Sequence, residues 1–281
     1  MKISRIPTGI DSLDNILQGG LPTGSFILLH GEMGAGDFEY ALTTAVRLFE
    51  KEASVDSRIT LPKKIYYISF TRSKEDILKE IAFSFPDFFN ILEKSFQENR
   101  MEFQDFSDAY FAMSFIPVTW TFSTGSRDFS FESLKWSPGE KNLVENLIDY
   151  LDKNAAHSLV IIDSLTSLAQ YCLERMEWND LIMFLRGLQR VAKTWDGIVY
   201  AILSKEIFDK RHQEEIAECM DGVMVFEWEK LGVSQRQRIM YMKKFRGVLP
   251  VLDKDDIVNF ETQISSQKGF DISTIKRVRG R

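Results

Sequence analysis

The sequence predicts an α/β fold with a mainly parallel central sheet flanked by helices and an antiparallel hairpin at its edge toward the C-terminus. Three observations predict it. Short, nearly continuous apolar runs alternate with segments of helical periodicity, the pattern of strands covered on both faces. The first such run, residues 25–30, ends in a glycine-rich loop at residues 31–38 and leads into a helix. In the last third, residues 222–228 and 235–245 alternate apolar and polar positions around a Gly-containing turn, which reads as a hairpin.

Taken in order, residues 38–49 carry apolar side chains at helical spacing through Ala41, Leu42, Ala45, Val46 and Phe49. Residues 64–70 read as a strand. Ser73 and Asp76 then form a capping-box pattern that opens a helix over 77–85. Further strands are expected at 101–106, 158–162 and 197–203, with helices at 140–154 and 179–195 between them. The buried strand centres are expected at 27–29, 66–68, 160–162 and 199–202, where apolar residues run on without alternation. Residues 109–139 have no steady period and concentrate aromatic residues, among them Tyr110, Phe111, Phe115 and Trp120, so they read as an irregular connection. The expected organisation is a single domain over 1–260 followed by a C-terminal basic tail at 261–281, whose end carries Lys276, Arg277, Arg279 and Arg281.

Composition narrows the functional classes. The chain has 281 residues, 44% hydrophobic and 27% charged, which suits one large α/β domain or two small ones. A net charge of −6 argues against nucleic acid as the main partner. Cys172 and Cys219 fit no zinc or redox spacing, and His30, His157 and His212 show no ligand spacing, so no metal site is expected. His30 ends a core strand and is expected to be a satisfied buried histidine. No apolar run reaches the ~18 residues of a spanning helix, and the first residues lack the apolar core of a signal peptide, so the expected location is the cytoplasm.

The loop carries the chemical question. Gly31, Glu32, Met33, Gly34, Ala35 and Gly36 match the glycine skeleton of the phosphate-binding pattern G-x-x-x-x-G-K-[ST], but Asp37 and Phe38 stand where the lysine and the hydroxyl belong. In that pattern the lysine reaches the β/γ-phosphates and the hydroxyl binds Mg²⁺. A unit-charge contact near 4 Å is worth about 4 kcal/mol at an effective dielectric of 20, so reversing its sign should weaken nucleotide binding by orders of magnitude.

The order of motifs resembles the KaiC-like branch of the RecA superfamily of P-loop ATPases, and most closely its archaeal paralogues with degenerate nucleotide motifs. The resemblance rests on Ile6-Pro7-Thr8-Gly9-Ile10-Asp11-Ser12-Leu13-Asp14 and Gly19-Gly20-Leu21-Pro22-Thr23-Gly24-Ser25 leading into the loop. It continues through Tyr67-Ile68-Ser69-Phe70, then Leu159-Val160-Ile161-Ile162-Asp163-Ser164, and ends with Asp221-Gly222-Val223 and Lys243-Lys244-Phe245-Arg246-Gly247. It implies a RecA-like P-loop fold and departs from the family's pattern where the chemistry sits. Thr71 and Arg72 occupy the places where the family carries catalytic glutamates after the second strand. Asp163 stands at the Walker B position, yet a lone acid there can equally cap the next turn or make a structural hydrogen bond. Lys244 and Arg246 resemble the basic pair that reaches a neighbouring subunit's γ-phosphate in ring-forming relatives, while the bland reading is a pair of solvated charges.

Together these features predict a non-catalytic regulatory or scaffold protein, a pseudo-ATPase with no cofactor, in which ATP and Mg²⁺ enter only if another cation rescues the site. The expected partners are another protein or further copies of the chain, with no membrane, and with nucleic acid disfavoured by the acidic balance. Two alternatives stand beside this reading. One is a weak ATP-binding protein or ATPase in which Lys205, Arg72 or Lys244 replaces the missing lysine; the other is a nucleic-acid-binding recombinase accessory. Because Asp37 and Arg72 reverse the usual signs at two places, they are also expected to face each other as an ion pair closing the former pocket.

Overall fold

The computed structural model describes residues 4–51, 56–112, 114–117, 142–232, 234–252 and 259–273. The chain begins with a two-stranded ladder, β1 (Arg5–Ile6) against β2 (Leu21–Pro22), bracketing a short helix α1 (Asp11–Ile16). Asp14 is the reason for the sequence of this turn. One of its carboxylate oxygens accepts from the Thr8 N–H at 2.6 Å and the Thr8 hydroxyl at 2.8 Å, and the other accepts from the Gly9 N–H at 3.1 Å. A buried carboxylate satisfied by three donors can be tolerated where a bare one could not. Gly20 has φ +116°, and a Cβ there would overlap the Ile6 carbonyl, so the position admits glycine alone.

The chain then builds a mostly parallel sheet. Its strands are β3 (Ser25–Gly31), β4 (Ile65–Ser69), β5 (Met101–Asp105), β6 (Leu159–Asp163), β7 (Ile198–Ser204), β8 (Gly222–Leu231), β9 (Gln235–Phe245), β10 (Phe260–Ser265) and β11 (Gly269–Ile272). All nine lie in one sheet, in the order β11-β10-β9-β8-β3-β7-β6-β4-β5. The pairs from β8 to β5 are parallel and those from β8 to β11 antiparallel. The expected strand centres at 27–29, 66–68, 160–162 and 199–202 are all buried.

Alternate residues of each strand serve two cores. Ile27 and Leu29 face α2 (Asp37–Glu50), while Phe26 and Leu28 face the opposite layer. The α2 side also holds α3 (Lys74–Ser84) and α4 (Pro86–Gln97), whose Ile77, Ile81, Phe88 and Leu92 are buried. After α5 (Ser107–Phe111), the other layer comprises α6 (Leu143–Asn154), α7 (Leu165–Arg175), α8 (Trp178–Trp195) and α9 (Lys210–Glu218). Helices α4, α7 and α9 were not expected from the sequence, although their start signals are local: Pro86 at the first turn, Ser164 accepting from the Ser167 N–H, and Asp209 accepting from the His212 N–H.

Three expectations need adjusting. Residues 107–111 are helical, so the irregular connection begins with regular structure; from 118 to 141 it lies outside the described residues. The predicted hairpin forms as β8 and β9, but β10 and β11 continue the sheet beyond it, so the antiparallel edge strand is β11. The boundary at residue 260 is therefore corrected: Phe260–Ser265 and Gly269–Ile272 are sheet rather than tail, and the basic residues from 276 onward lie outside the described residues.

The reason is an aromatic anchor. Phe270 is 1% exposed and meets Tyr40 edge-on with ring centroids 5.5 Å apart and Phe226 at 5.7 Å. Its N–H donates to the Thr43 hydroxyl at 2.9 Å. Gly269, at φ +69°, has no room for a Cβ between Thr43 and the Phe88 ring. Two strands of six and four residues thus gain their stability from a side chain delivered into the α2 core rather than from their own length. Phe270→Ala should lower the unfolding free energy by about 3–5 kcal/mol, measured by chemical denaturation; a loss below about 1 kcal/mol would mean that the last hairpin is not anchored in this way.

Candidate functional site

The glycine loop lies at the C-terminal end of β3, between that strand and α2, with Gly34 at φ +72° and Gly36 at φ +116°. Because β8 runs parallel beside β3, the β8–β9 hairpin projects past the strand end and binds the loop from outside. The Glu32 N–H donates to the Phe226 carbonyl at 2.9 Å, and the Glu32 carboxylate accepts from the Trp228 N–H at 3.1 Å. The Trp228 indole N–H donates to the Met33 carbonyl at 3.1 Å, and Arg238 Nε to the Gly34 carbonyl at 2.8 Å, with the guanidinium over the Trp228 ring at 4.4 Å. Ala35 is fully buried beneath this strap, whereas Met33 at its tip is 90% exposed.

Asp37, the first residue of α2, folds back against the start of the loop: a Cβ on Gly31 would overlap its carboxyl group. Burial raises the Asp37 carboxyl from 3.8 to about 7; its own N–H and that of Phe38 pull it down, and the neighbouring charges of Glu39 and Asp163 push it further up. Phe38, the second residue of α2, packs partly buried against the core on that side of the sheet.

The expected Asp37–Arg72 ion pair is absent. Arg72 pairs instead with Glu80 of α3, and its N–H donates to the Ser69 hydroxyl at 3.1 Å. Topology explains the difference. The strands that carry the two residues, β3 and β4, are not neighbours; β7 and β6 lie between them, which sets the strand ends about 14 Å apart at ~4.8 Å per strand. Thr71 is exposed beside Arg72.

Asp163 at the end of β6 does not cap the next helix, because Ser164 does. Its carboxylate accepts a short hydrogen bond from the buried Tyr67 hydroxyl, and burial raises its pKa while that bond and Arg72 oppose the rise. Tyr67, one strand away on β4, is the partner of Asp163 that sequence reasoning missed.

The three cations considered in the sequence as substitutes for a loop lysine each have partners of their own. Lys205, just after β7, bridges Glu227 at 2.6 Å and Glu32 at 3.2 Å. Lys244 donates at 3.0 Å to the carbonyls of Ala217 and Glu218 and to the Glu218 carboxylate, so it neutralises the C-terminal end of α9. Arg72 is held by Glu80 as described. Arg246 is exposed, and its backbone N–H donates to the Asp221 carbonyl at 2.9 Å. Among the described residues no group of three or more His, Cys, Asp or Glu is placed to hold a metal ion, and no helix is long and apolar enough to cross a membrane.

A nine-stranded, mainly parallel sheet with a glycine loop at the end of an inner strand is an α/β fold of RecA-like type. The chain is similar to the KaiC-like protein PH0186 from Pyrococcus horikoshii OT3, with a TM-score of 0.62 and 19% identity over 96% of this chain and 99% of that one. It is also similar to the flagellar accessory protein FlaH from Methanocaldococcus jannaschii, with a TM-score of 0.64 and 14% identity over 97% of this chain and 100% of that one. No family model and no curated protein sequence matches the chain.

The raised Asp37 carboxyl has a signed consequence. Folding favours its neutral form, so the stability it contributes is complete below the unfolded pKa near 3.8 and is lost as pH rises through about 7. Asp37→Asn should therefore gain on the wild type over that interval, by about 2 kcal/mol above pH 7 after discounting for partial exposure. Denaturation curves at pH 5 and pH 8 test this, and parallel pH profiles for the two proteins would reject it.

Proposed function

We propose that this chain is a non-catalytic protein of RecA type that keeps the phosphate loop as a structural joint and acts in the cytoplasm as a regulator or scaffold. The observation that carries the reading is Asp37, whose carboxyl lies folded back against Gly31 with acidic neighbours. A nucleoside triphosphate needs converging cations at this place. The residues present do not fit ATP and Mg²⁺: the loop lysine is an acid, the metal-binding hydroxyl is Phe38, and the positions after β4 hold Thr71 and Arg72 rather than glutamates. The engagement of Lys205, Lys244 and Arg72 by their own carboxylates and carbonyls counts against rescue by another side chain. The single domain expected from the sequence is proposed to extend through β11. The partner is proposed to be a protein, either a different one or further copies of the chain; the likeness in fold to FlaH, described as a flagellar accessory protein, supports this reading.

Calorimetric titration with Mg-ATP tests the reading. The wild type should give no saturable binding, while Asp37→Lys combined with Phe38→Thr should gain affinity by roughly a thousandfold, the equivalent of about 4 kcal/mol for one restored charge contact. Stoichiometric ATP binding by the wild type that is lost on Asp163→Ala would overturn it.

A further inference from the structure

Helix α8 has a residue that the packing of its own chain does not explain. Gly187 sits in the middle of the 18 residues, and a Cβ built there would meet nothing within 4 Å. Glycine weakens a helix interior relative to alanine, and here no close approach within the chain calls for it. Gly187 lines a groove of 240 Å³ between α8 and α6 whose walls are apolar apart from Asp152, among them Ile148 and Leu151 of α6 and Phe184 and Val191 of α8. Ile148 is 40% exposed, and Met183, on the outward side of α8, is 60% exposed.

Helical spacing puts Asp180, Met183, Phe184, Gly187, Arg190 and Val191 on one outward face of α8. That face is acidic toward the start of the helix, apolar and small at its centre, and basic toward its end. Both Asp180 and Arg190 are exposed, and among the described residues neither takes part in an ion pair. Midway between them is Leu185, about 3 Å along the axis from Gly187 at ~1.5 Å per residue.

That arrangement decides what the face fits. A second α8 running antiparallel, and crossing near Gly187, sets Asp180 of each copy against Arg190 of the other and brings Met183 toward the other copy's Val191. A parallel copy would set acid on acid and base on base. A glycine at the crossing lets the two backbones approach to about 8 Å, the short end of the usual range for packed helices.

We propose that α8 and the α6–α8 groove form a two-fold interface with a second copy of this chain, the two α8 helices crossing antiparallel at Gly187. The inference rests on the reading that the protein partner is a further copy of the chain. It does not involve the glycine loop, so it stands or falls separately from the absence of nucleotide chemistry.

Sedimentation of the full chain tests the interface. The wild type should form a reversible dimer at about 50 µM. Gly187→Glu has room within its own chain, so it should keep the helical circular dichroism of the wild type while weakening association by about a hundredfold or more. Asp180→Arg alone and Arg190→Asp alone should each weaken association about tenfold, and the two together should return it to within about threefold of the wild type. Because the two residues are about 15 Å apart along one helix, that recovery reports contact between copies. A monomer at about 100 µM, which would leave the groove to another segment of the chain or to a different protein, overturns the proposal. A dimer indifferent to Gly187→Glu, or a double charge reversal without recovery, overturns it as well. Mg-ATP binding by an intact dimer would overturn the non-catalytic reading alone.

Discussion

The arrangement of the loop and everything around it depends on one buried carboxylate, Asp221. It is 4% exposed, and one of its oxygens accepts from the Phe26 N–H at 3.0 Å and from Lys193 Nζ at 2.6 Å, while the other accepts from Gln189 at 3.1 Å. Its own N–H donates to the Phe26 carbonyl at 2.8 Å, and its carbonyl accepts from Arg246. Lys193 also reaches the Gly24 carbonyl at 2.9 Å. A single side chain therefore fixes the start of β3, the end of α8 and the start of β8 together. A buried carboxylate has no alternative partner of equal quality in that setting, so β8 is placed beside β3 and nowhere else.

From that placement follows the strap over the glycine loop. Once β8 is parallel to β3, the hairpin extends beyond the strand end, and Trp228 and Arg238 reach the Met33 and Gly34 carbonyls. A loop tied to a hairpin through two of its carbonyls and the Glu32 side chain is held in its conformation by the protein's own groups. Beside it lies the Asp37 carboxyl, which burial raises to about 7, while Lys205 and Lys244 bridge the hairpin to the loop and to the end of α9.

The end of β3 serves two different environments because a strand turns alternate residues to opposite faces. Gly31 meets the Asp37 carboxyl on the α2 side, and His30, one residue earlier, meets lysines and glutamates under α9. Lys205 stands between them, joined to Glu32 of the loop and to Glu227 of the hairpin. The polar chemistry of this protein is thus concentrated at one end of the sheet but divided by the sheet itself.

How much of this could be read from the chain varied with the range of the interaction. The inner strands were legible because burial on both faces leaves nearly continuous apolar runs, as at Phe26 to Leu29 and Val160 to Ile162. The altered loop was legible because Asp37 and Phe38 sit in fixed register with three glycines. The last two strands were not, since a four-residue strand has too few positions to show a period, and only the meeting of Phe270 with Tyr40 and Phe226 makes it stable. The Asp37–Arg72 pair was misjudged because sequence order does not give strand order, and two strands intervene. The sequence by itself determined the inner strands, the strongly periodic helices and which side chains occupy the loop, because those depend on local periodicity and spacing. The tertiary structure alone decided which charges meet, because Coulomb and hydrogen-bond partners are set by distances across a sheet whose order the chain does not spell out.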